Sequence, residues 1–246
     1  MKSIINQPTL YKQVNHWLNI IQYSLLPARC ILCETSIKGQ KDLCKACETR
    51  FIRLNSCCSR CATSFASHSL ENNICGNCQK QPPVFDKVYA PFVHQGNIRH
   101  LINDLKFNNA YKNARLLAEL LAQHISIKCT LKPELIIPMP LHPQRYRERG
   151  FNQSLEIAKI VSQLLKIPYS TTHCQRIKNT AHQINLTGKQ REQNIKQAFK
   201  LSMPIKHKHI VIIDDVMTTG ATANELAKTF KTGGVKRVDI WVCSRR

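Results

Sequence analysis

The chain has 246 residues, room for one large domain or a medium domain with a small companion, and 43% of them are apolar, enough for a real core. Against 15 aspartates and glutamates stand 36 lysines and arginines, a formal charge of +21. That balance argues against cationic ligands and favours a polyanion (nucleic acid, anionic lipid or a phosphorylated small molecule), with plain solubility as the alternative.

The first residues, Met1-Lys2-Ser3 and then Ile4-Ile5-Asn6-Gln7-Pro8, form no apolar stretch of the kind a secretion signal needs. Trp17 to Leu26 is amphipathic, interrupted by Asn19, Gln22 and Ser24, and is too short and polar to span a bilayer. It is expected as a helix within residues 1–29 that packs on the body of the protein, with a membrane-surface helix as the alternative. The expectation is a cytoplasmic protein without a transmembrane segment.

Nine of the 12 cysteines lie between Cys30 and Cys78. They include four C-x-x-C knuckles: Cys30/Cys33, Cys44/Cys47, Cys58/Cys61 and Cys75/Cys78. A two-residue spacer lets one tight turn offer both sulfurs to a tetrahedral ion, and two knuckles close the shell. Pairing neighbours gives two Cys₄ sites, which predicts a double zinc ribbon over residues 30–80 with two structural zinc ions; an iron–sulfur cluster is the alternative. A closed shell leaves no place for a catalytic water. Cys57 is spare, and Cys129, Cys174 and Cys243 read as core thiols.

Gln81-Pro82-Pro83 ends this block, and a larger domain is expected from residue 84 to 246. Its pattern predicts a strand over Val84–His94 and helices over Ile98–Phe107 and Tyr111–Ile127. A strand at Leu135–Ile137, a helix over Gln153–Leu165, a strand over Pro168–Cys174 and a helix over Leu186–Phe199 follow. The series ends with a strand at His209–Ile213, a helix over Ala221–Lys231 and a strand over Val235–Cys243. Such alternation predicts an α/β fold, a mostly parallel sheet with helices on both faces.

Chemistry concentrates in V-I-I-D-D-V-M-T-T-G-A-T, Val211 to Thr222. A doubly buried strand would end at Asp214 and Asp215, at the sheet edge where ligands collect. Thr218, Thr219 and Gly220 then supply hydroxyls, a glycine free to take positive φ, and amides leading into a helix, which together make an anion site. Two acceptors for sugar hydroxyls beside a phosphate cradle describe a ribose 5-phosphate pocket.

Three further segments carry charge. Pro138 to Arg149 reads as a proline-stiffened loop that ends in the alternating Arg145, Arg147 and Arg149; these could grip pyrophosphate or a nucleic-acid backbone, or be merely solvated. Arg176 to Asn194 is polar, glycine-hinged and cationic, suited to a mobile lid or a basic surface loop. Lys106-Phe107 and Tyr111-Lys112 pair cations with aromatics; such rings more commonly belong to a helix core, and the alternative is a stacking surface for single strands.

The acid pair and T-T-G-A-T resemble the phosphoribosyl-pyrophosphate (PRPP) signature of type I phosphoribosyltransferases. Knuckled cysteines, P-x-P-L-H-P-x-R-x-R-x-R-G-F-N-Q, R-x-x-x-T-x-x-Q-x-x-L-x-x-x-x-R-x-x-N and that signature, in this order, resemble the ComF/GntX family of competence-associated proteins. The resemblance implies that Asp214, Asp215, Val216, Met217, Thr218, Thr219, Gly220, Ala221 and Thr222 bind PRPP with Mg²⁺, the two acids on the ribose hydroxyls. It places Arg191 with Asp214 and Asp215 in any catalytic set. Arg145, Arg147, Arg149, Lys106 and Arg176 fall to pyrophosphate or DNA backbone, and Thr180, Gln183 and Asn194 match the family's polar motif. It further implies handling of incoming single-stranded DNA during natural transformation, alongside other DNA-uptake proteins, or an active transferase in nucleotide metabolism. No hood that would select an attacking base is evident in the sequence.

Overall fold

The computed structural model describes residues 28–37, 42–65, 74–108, 110–179 and 193–246. The chain divides into two compact units, Met1–Arg50 and Phe51–Arg246, so the division falls between the two cysteine clusters. The expected helix at residues 1–29 lies outside the described residues but for its last two positions.

In the first unit a turn carries Cys30 and Cys33, closed by a bridge between Arg29 and Ser36. The short helix α1 (Lys45–Glu48) is capped by Cys44, whose sulfur accepts from the Cys47 amide at 3.4 Å. Burial here is confined to Cys30, Leu43 and Cys47 among the described apolar residues. So little apolar surface cannot offset the conformational entropy of an ordered chain, and a metal must do so.

The second unit is built on a five-stranded parallel sheet. β1 (Lys87–Tyr89), β7 (Arg237–Arg245), β6 (His209–Met217) and β3 (Leu135–Pro138) lie side by side in that order, and β2 (Phe92–Val93) continues beside β7. Ile210, Val211, Ile212 and Ile213 in β6 are fully buried, as a continuous β-branched run in a central parallel strand requires. Helix α7 (Ala221–Thr232) shares one apolar core with Ile210, Ile212 and the second cysteine cluster. Helices α4 (Tyr111–Lys128) and α6 (Gln153–Leu165) pack on each other and against β7 and β6. Helix α3 (Gly96–Phe107) packs on α4, and the short α2 (Gly76–Lys80) carries Cys78.

Four expectations need correction. The strand over Val84–His94 is broken into β1 and β2 at Ala90-Pro91, because Pro91 has no N–H to give the ladder. Pro168–Cys174 is not a strand of the sheet: only Tyr169 bridges to Ile136, and Cys174–Arg176 (β4) instead pairs antiparallel with Phe199–Leu201 (β5). Half of the helix expected over Leu186–Phe199 falls outside the described residues; in the other half the helix gives way to a turn at Lys196 and the last residue opens β5. Finally, β6 does not stop before the acids. It runs through them to Met217 because β7 extends alongside, pairing Asp214 with Val242 and Val216 with Ser244.

Candidate active site

At the carboxyl end of β6 the chain turns through Thr218 and Thr219 into α7. Gly220 takes φ +83°, where a side chain is strained, and a Cβ there would lie 2.5 Å from Met217 Cε. The Thr219 hydroxyl accepts from the Ala221 amide at 3.3 Å. All nine residues from Asp214 to Thr222 line a cavity of about 300 Å³. Facing them across it are Lys106, Arg145, Arg149 and Arg176.

Both acids line the cavity and interact with each other, yet each meets a different further partner. Asp214 Oδ1 accepts from Ser154 Oγ at 2.8 Å and from the Asp215 amide at 2.9 Å. Asp215 Oδ2 lies 2.5 Å from Lys106 Nζ; the carboxylate is almost withdrawn from solvent and the lysine side chain partly so. Burial and then the Asp215 charge push Asp214 up to about 7. Burial also acts to raise Asp215, but the Lys106 ammonium overrides it and holds the carboxyl below its usual range. One acid is therefore firmly ionised and the other is poised near neutrality.

Lys106 thus has a different duty from the one expected. It lines the cavity, but its ammonium neutralises Asp215 and is engaged before any ligand arrives. The arginines also divide. Pro143–Arg149 is not loop but helix α5, opened by His142, whose ring accepts from the Gln144 amide at 3.3 Å, and closed by Gly150 at φ +76°. Helical spacing puts Arg145 and Arg149, four apart, on one face toward the acids, and turns Arg147 into a neighbouring cavity of about 720 Å³. Arg149 is held by Gln153 (3.3 Å). Burial and then Arg145 lower its pKa, against the pull of the two acids. Arg176 sits on β4, its guanidinium 5.8 Å from the Phe199 ring centroid. Arg191, Thr180 and Gln183 lie outside the described residues; Asn194 does not line the cavity.

Two contributors escaped the sequence reading. Ser154 is two residues beyond the Asn152 cap, whose Oδ1 accepts from the Ser154 amide at 3.0 Å and whose Nδ2 donates to the Met139 carbonyl at 3.0 Å. That double bond fixes the start of α6 against the end of β3. His94 reaches the cavity beside Lys106, its Nδ1 2.9 Å from Ser244 Oγ. Burial and then Lys106 lower its pKa, so the ring is neutral at pH 7. A capping asparagine with a serine two residues on was a visible signal for Ser154; nothing local marked His94 or the partner of Lys106.

The aromatics beside the cavity also depart from expectation. Phe107 and Tyr111 are 63% and 52% exposed, so neither belongs to a helix core. Arg149 stands 5.7 Å from the Phe107 ring centroid, and Tyr111 packs on Phe151 at 4.9 Å.

The cysteines gather as their spacing requires. In each set of four, Cys30/Cys33/Cys44/Cys47 and Cys58/Cys61/Cys75/Cys78, the sulfurs all lie within 4.8 Å of one another. Amides of Cys44 and Cys75 donate to the sulfurs of Cys30 (3.4 Å) and Cys58 (3.3 Å), the support that zinc-bound thiolates receive. Four soft donors at that spacing fit a tetrahedral zinc ion in each ribbon. Cys57 joins neither set.

A parallel sheet with an acid pair and a glycine-bent anion loop at its carboxyl edge, joined to paired four-cysteine sites, defines a phosphoribosyltransferase-type protein with zinc ribbons. Family models agree: a double zinc ribbon domain matches residues 21–79 and a phosphoribosyl transferase domain matches residues 152–246. The chain is 32% identical over 229 residues to competence protein F of Haemophilus influenzae, covering 88% of this chain and 96% of that protein. It is 31% identical over 225 residues to the DNA utilization protein YhgH of Escherichia coli K12, covering 89% and 98%. Competence protein ComFC of Streptococcus pneumoniae matches at 25% over 149 residues, 61% and 64% of the two chains. The chain belongs to the ComF/YhgH family of competence and DNA-utilization proteins. Among the described residues, no helix is long and apolar enough to cross a membrane.

Proposed function

We propose that this protein handles single-stranded DNA in the cytosol during DNA uptake, and that its cavity takes PRPP with Mg²⁺. The observation that carries the proposal is the convergence, on one cavity, of an acid pair, a helix-opening anion loop and three arginines. Asp214 and Asp215 accept the ribose hydroxyls, the amides of Thr218 to Thr222 take the 5′-phosphate, and Arg145, Arg149 and Arg176 face the pyrophosphate. Mg²⁺ arrives with the pyrophosphate and offsets its charge. Phe107 and Tyr111, exposed at the side of Arg149, offer faces on which bases stack while nearby cations hold the backbone. The kinship with competence and DNA-utilization proteins supports this direction.

A second reading is favoured by the adjoining cavity of about 720 Å³, which shares Leu141 and Arg176 with the first and is lined by His142 and Tyr146. It has room for a nitrogen base, which would make the protein an active phosphoribosyltransferase. Calorimetric titration with Mg²⁺-PRPP decides the shared premise: wild type should bind, and Asp214→Ala/Asp215→Ala should not. Equal heats from both proteins would sink it. Release of pyrophosphate with one particular base would select the second reading; single-strand binding that weakens steeply with salt, without such release, would select the first.

A further inference from the structure

Arg245 closes β7 with only 6% of the residue exposed, and its guanidinium reaches two ways. Toward the second ribbon, Nε donates to the Cys61 carbonyl and Nη2 to Thr63 Oγ1, both at 2.9 Å. Toward the anion loop, Nη1 donates to the carbonyls of Met217 (3.1 Å) and Thr218, and also to the main-chain oxygen of Arg246 (2.6 Å). Thr63 Oγ1 lies 3.1 Å from Cys61 Sγ. One cysteine sulfur, one hydroxyl and one guanidinium therefore form a continuous path from a zinc ligand to the first carbonyls of the loop.

Two physical consequences follow. A trans peptide points its C=O and the next N–H in opposite directions. Holding the Met217 and Thr218 carbonyls on Arg245 turns the N–H groups of Thr218 and Thr219 away from the ribbon, and both residues line the ligand cavity. Second, among the described residues no side-chain carboxylate bonds this guanidinium. A buried cation needs a counter-charge, and four thiolates on one divalent ion make a dianionic centre beside it.

We propose that Arg245 is a positioning residue through which the second cysteine cluster, Cys58/Cys61/Cys75/Cys78, sets the conformation of the anion loop. Zinc at that cluster then governs phosphate affinity as well as local folding. The inference deepens the reading of the cavity as a PRPP site and rests on it for its ligand.

The test uses the full-length zinc-loaded chain, with amide hydrogen exchange of residues 217–222 as a readout that needs no ligand, and calorimetry with Mg²⁺-PRPP beside it. Chelation of zinc, Thr63→Val and Arg245→Lys should each speed exchange in the loop. Each variant should weaken PRPP binding about tenfold, roughly the worth of one charge-assisted hydrogen bond. Chelation should add little further in Arg245→Lys, because it acts through the group already lost. Thr63→Val guards against a variant that merely fails to fold. Unchanged loop exchange, or full additivity of chelation and Arg245→Lys, would overturn the coupling. A wild-type holoprotein that ignores PRPP would defeat the ligand assignment, while the exchange data would still decide the coupling.

Discussion

On one side of the cavity the functional groups sit on a buried strand and the turn that follows it; on the other they sit on a seven-residue helix and a two-stranded antiparallel pair. The acid wall is fixed by sheet register: a slip of one residue would exchange the environments of Asp214 and Asp215. The basic wall is fixed by helical period and by two contacts, Arg149 with Gln153 and Arg176 with Phe199. Groups on the first wall are preset and partly neutralised before ligand binds. On the second, burial and then the repulsion of Arg145 lower the pKa values of Arg149 and Arg176 against the pull of the acids, and a polyphosphate would relieve that repulsion. A site of this kind separates recognition of the sugar, which is stereochemical, from recognition of the anion, which is electrostatic.

The contrast can be broken most severely at Asp215. Asp215→Ala leaves the partly buried Lys106 ammonium without its partner, and we expect about 2 kcal/mol of lost stability in urea unfolding together with loss of PRPP binding. Lys106→Met in the same chain should restore much of the stability and none of the binding. Stability lost equally with and without Lys106 would show that the pair is not what Asp215 provides.

A smaller effect, with a distinctive sign, belongs to Asp214. Its folded pKa is raised to about 7, so between roughly pH 4 and pH 7 the unfolded chain gives up a proton that the folded chain keeps. Stability from this group is complete below that window, falls across it and stays low above. Asp214→Asn should melt with wild type at pH 4 and several degrees above it at pH 8. Wild-type affinity for PRPP should rise through about pH 7 as the acceptor ionises. A melting difference independent of pH would remove the raised pKa from the account.

The basic wall sharpens the comparison at lower cost. Arg149→Met should weaken PRPP about tenfold, whereas Arg147→Met, one wall away in the neighbouring cavity, should stay within about twofold. Equal losses would return the three arginines to a loop that grips as a unit. Smallest is the effect of the exposed rings. Phe107→Ala with Tyr111→Ala should cost single-stranded DNA a few-fold to tenfold in affinity while leaving PRPP untouched and the salt dependence unchanged, because stacking releases no counterions. Filter binding across a salt series reads all of this at once.

The acid wall was far more legible than the basic one. Val211 to Thr222 announced a central strand, a turn and a helix start because each feature is local: β-branched residues for the strand, Gly220 for the positive φ, a cap for α7. Its one error, ending the strand at the acids, arose because strand length is set by the neighbouring β7 and not by the strand itself. On the basic wall, alternating arginines suggested an extended loop. The signals for a helix were present in Pro143 at its start and Gly150 after its end, and they outweigh the alternation. Phe107 and Tyr111 read as core because rings in helices more commonly are; they stand at the last position of α3 and the first of α4, and packing leaves both exposed.

By itself, the sequence determined what depends on neighbours in the chain: the four knuckles and their grouping into two zinc sites, the alternation of strands and helices, and the acid pair with its anion loop. Tertiary structure alone decided which cation neutralises Asp215, which arginines reach the cavity, and that the second ribbon shares a core with the sheet while Arg245 bonds both it and the loop. The physical reason is range. Turn chemistry and metal-ligand spacing act over a few residues, whereas an ion pair or a buried guanidinium joins groups about a hundred or more residues apart, and only the folded chain selects the partner.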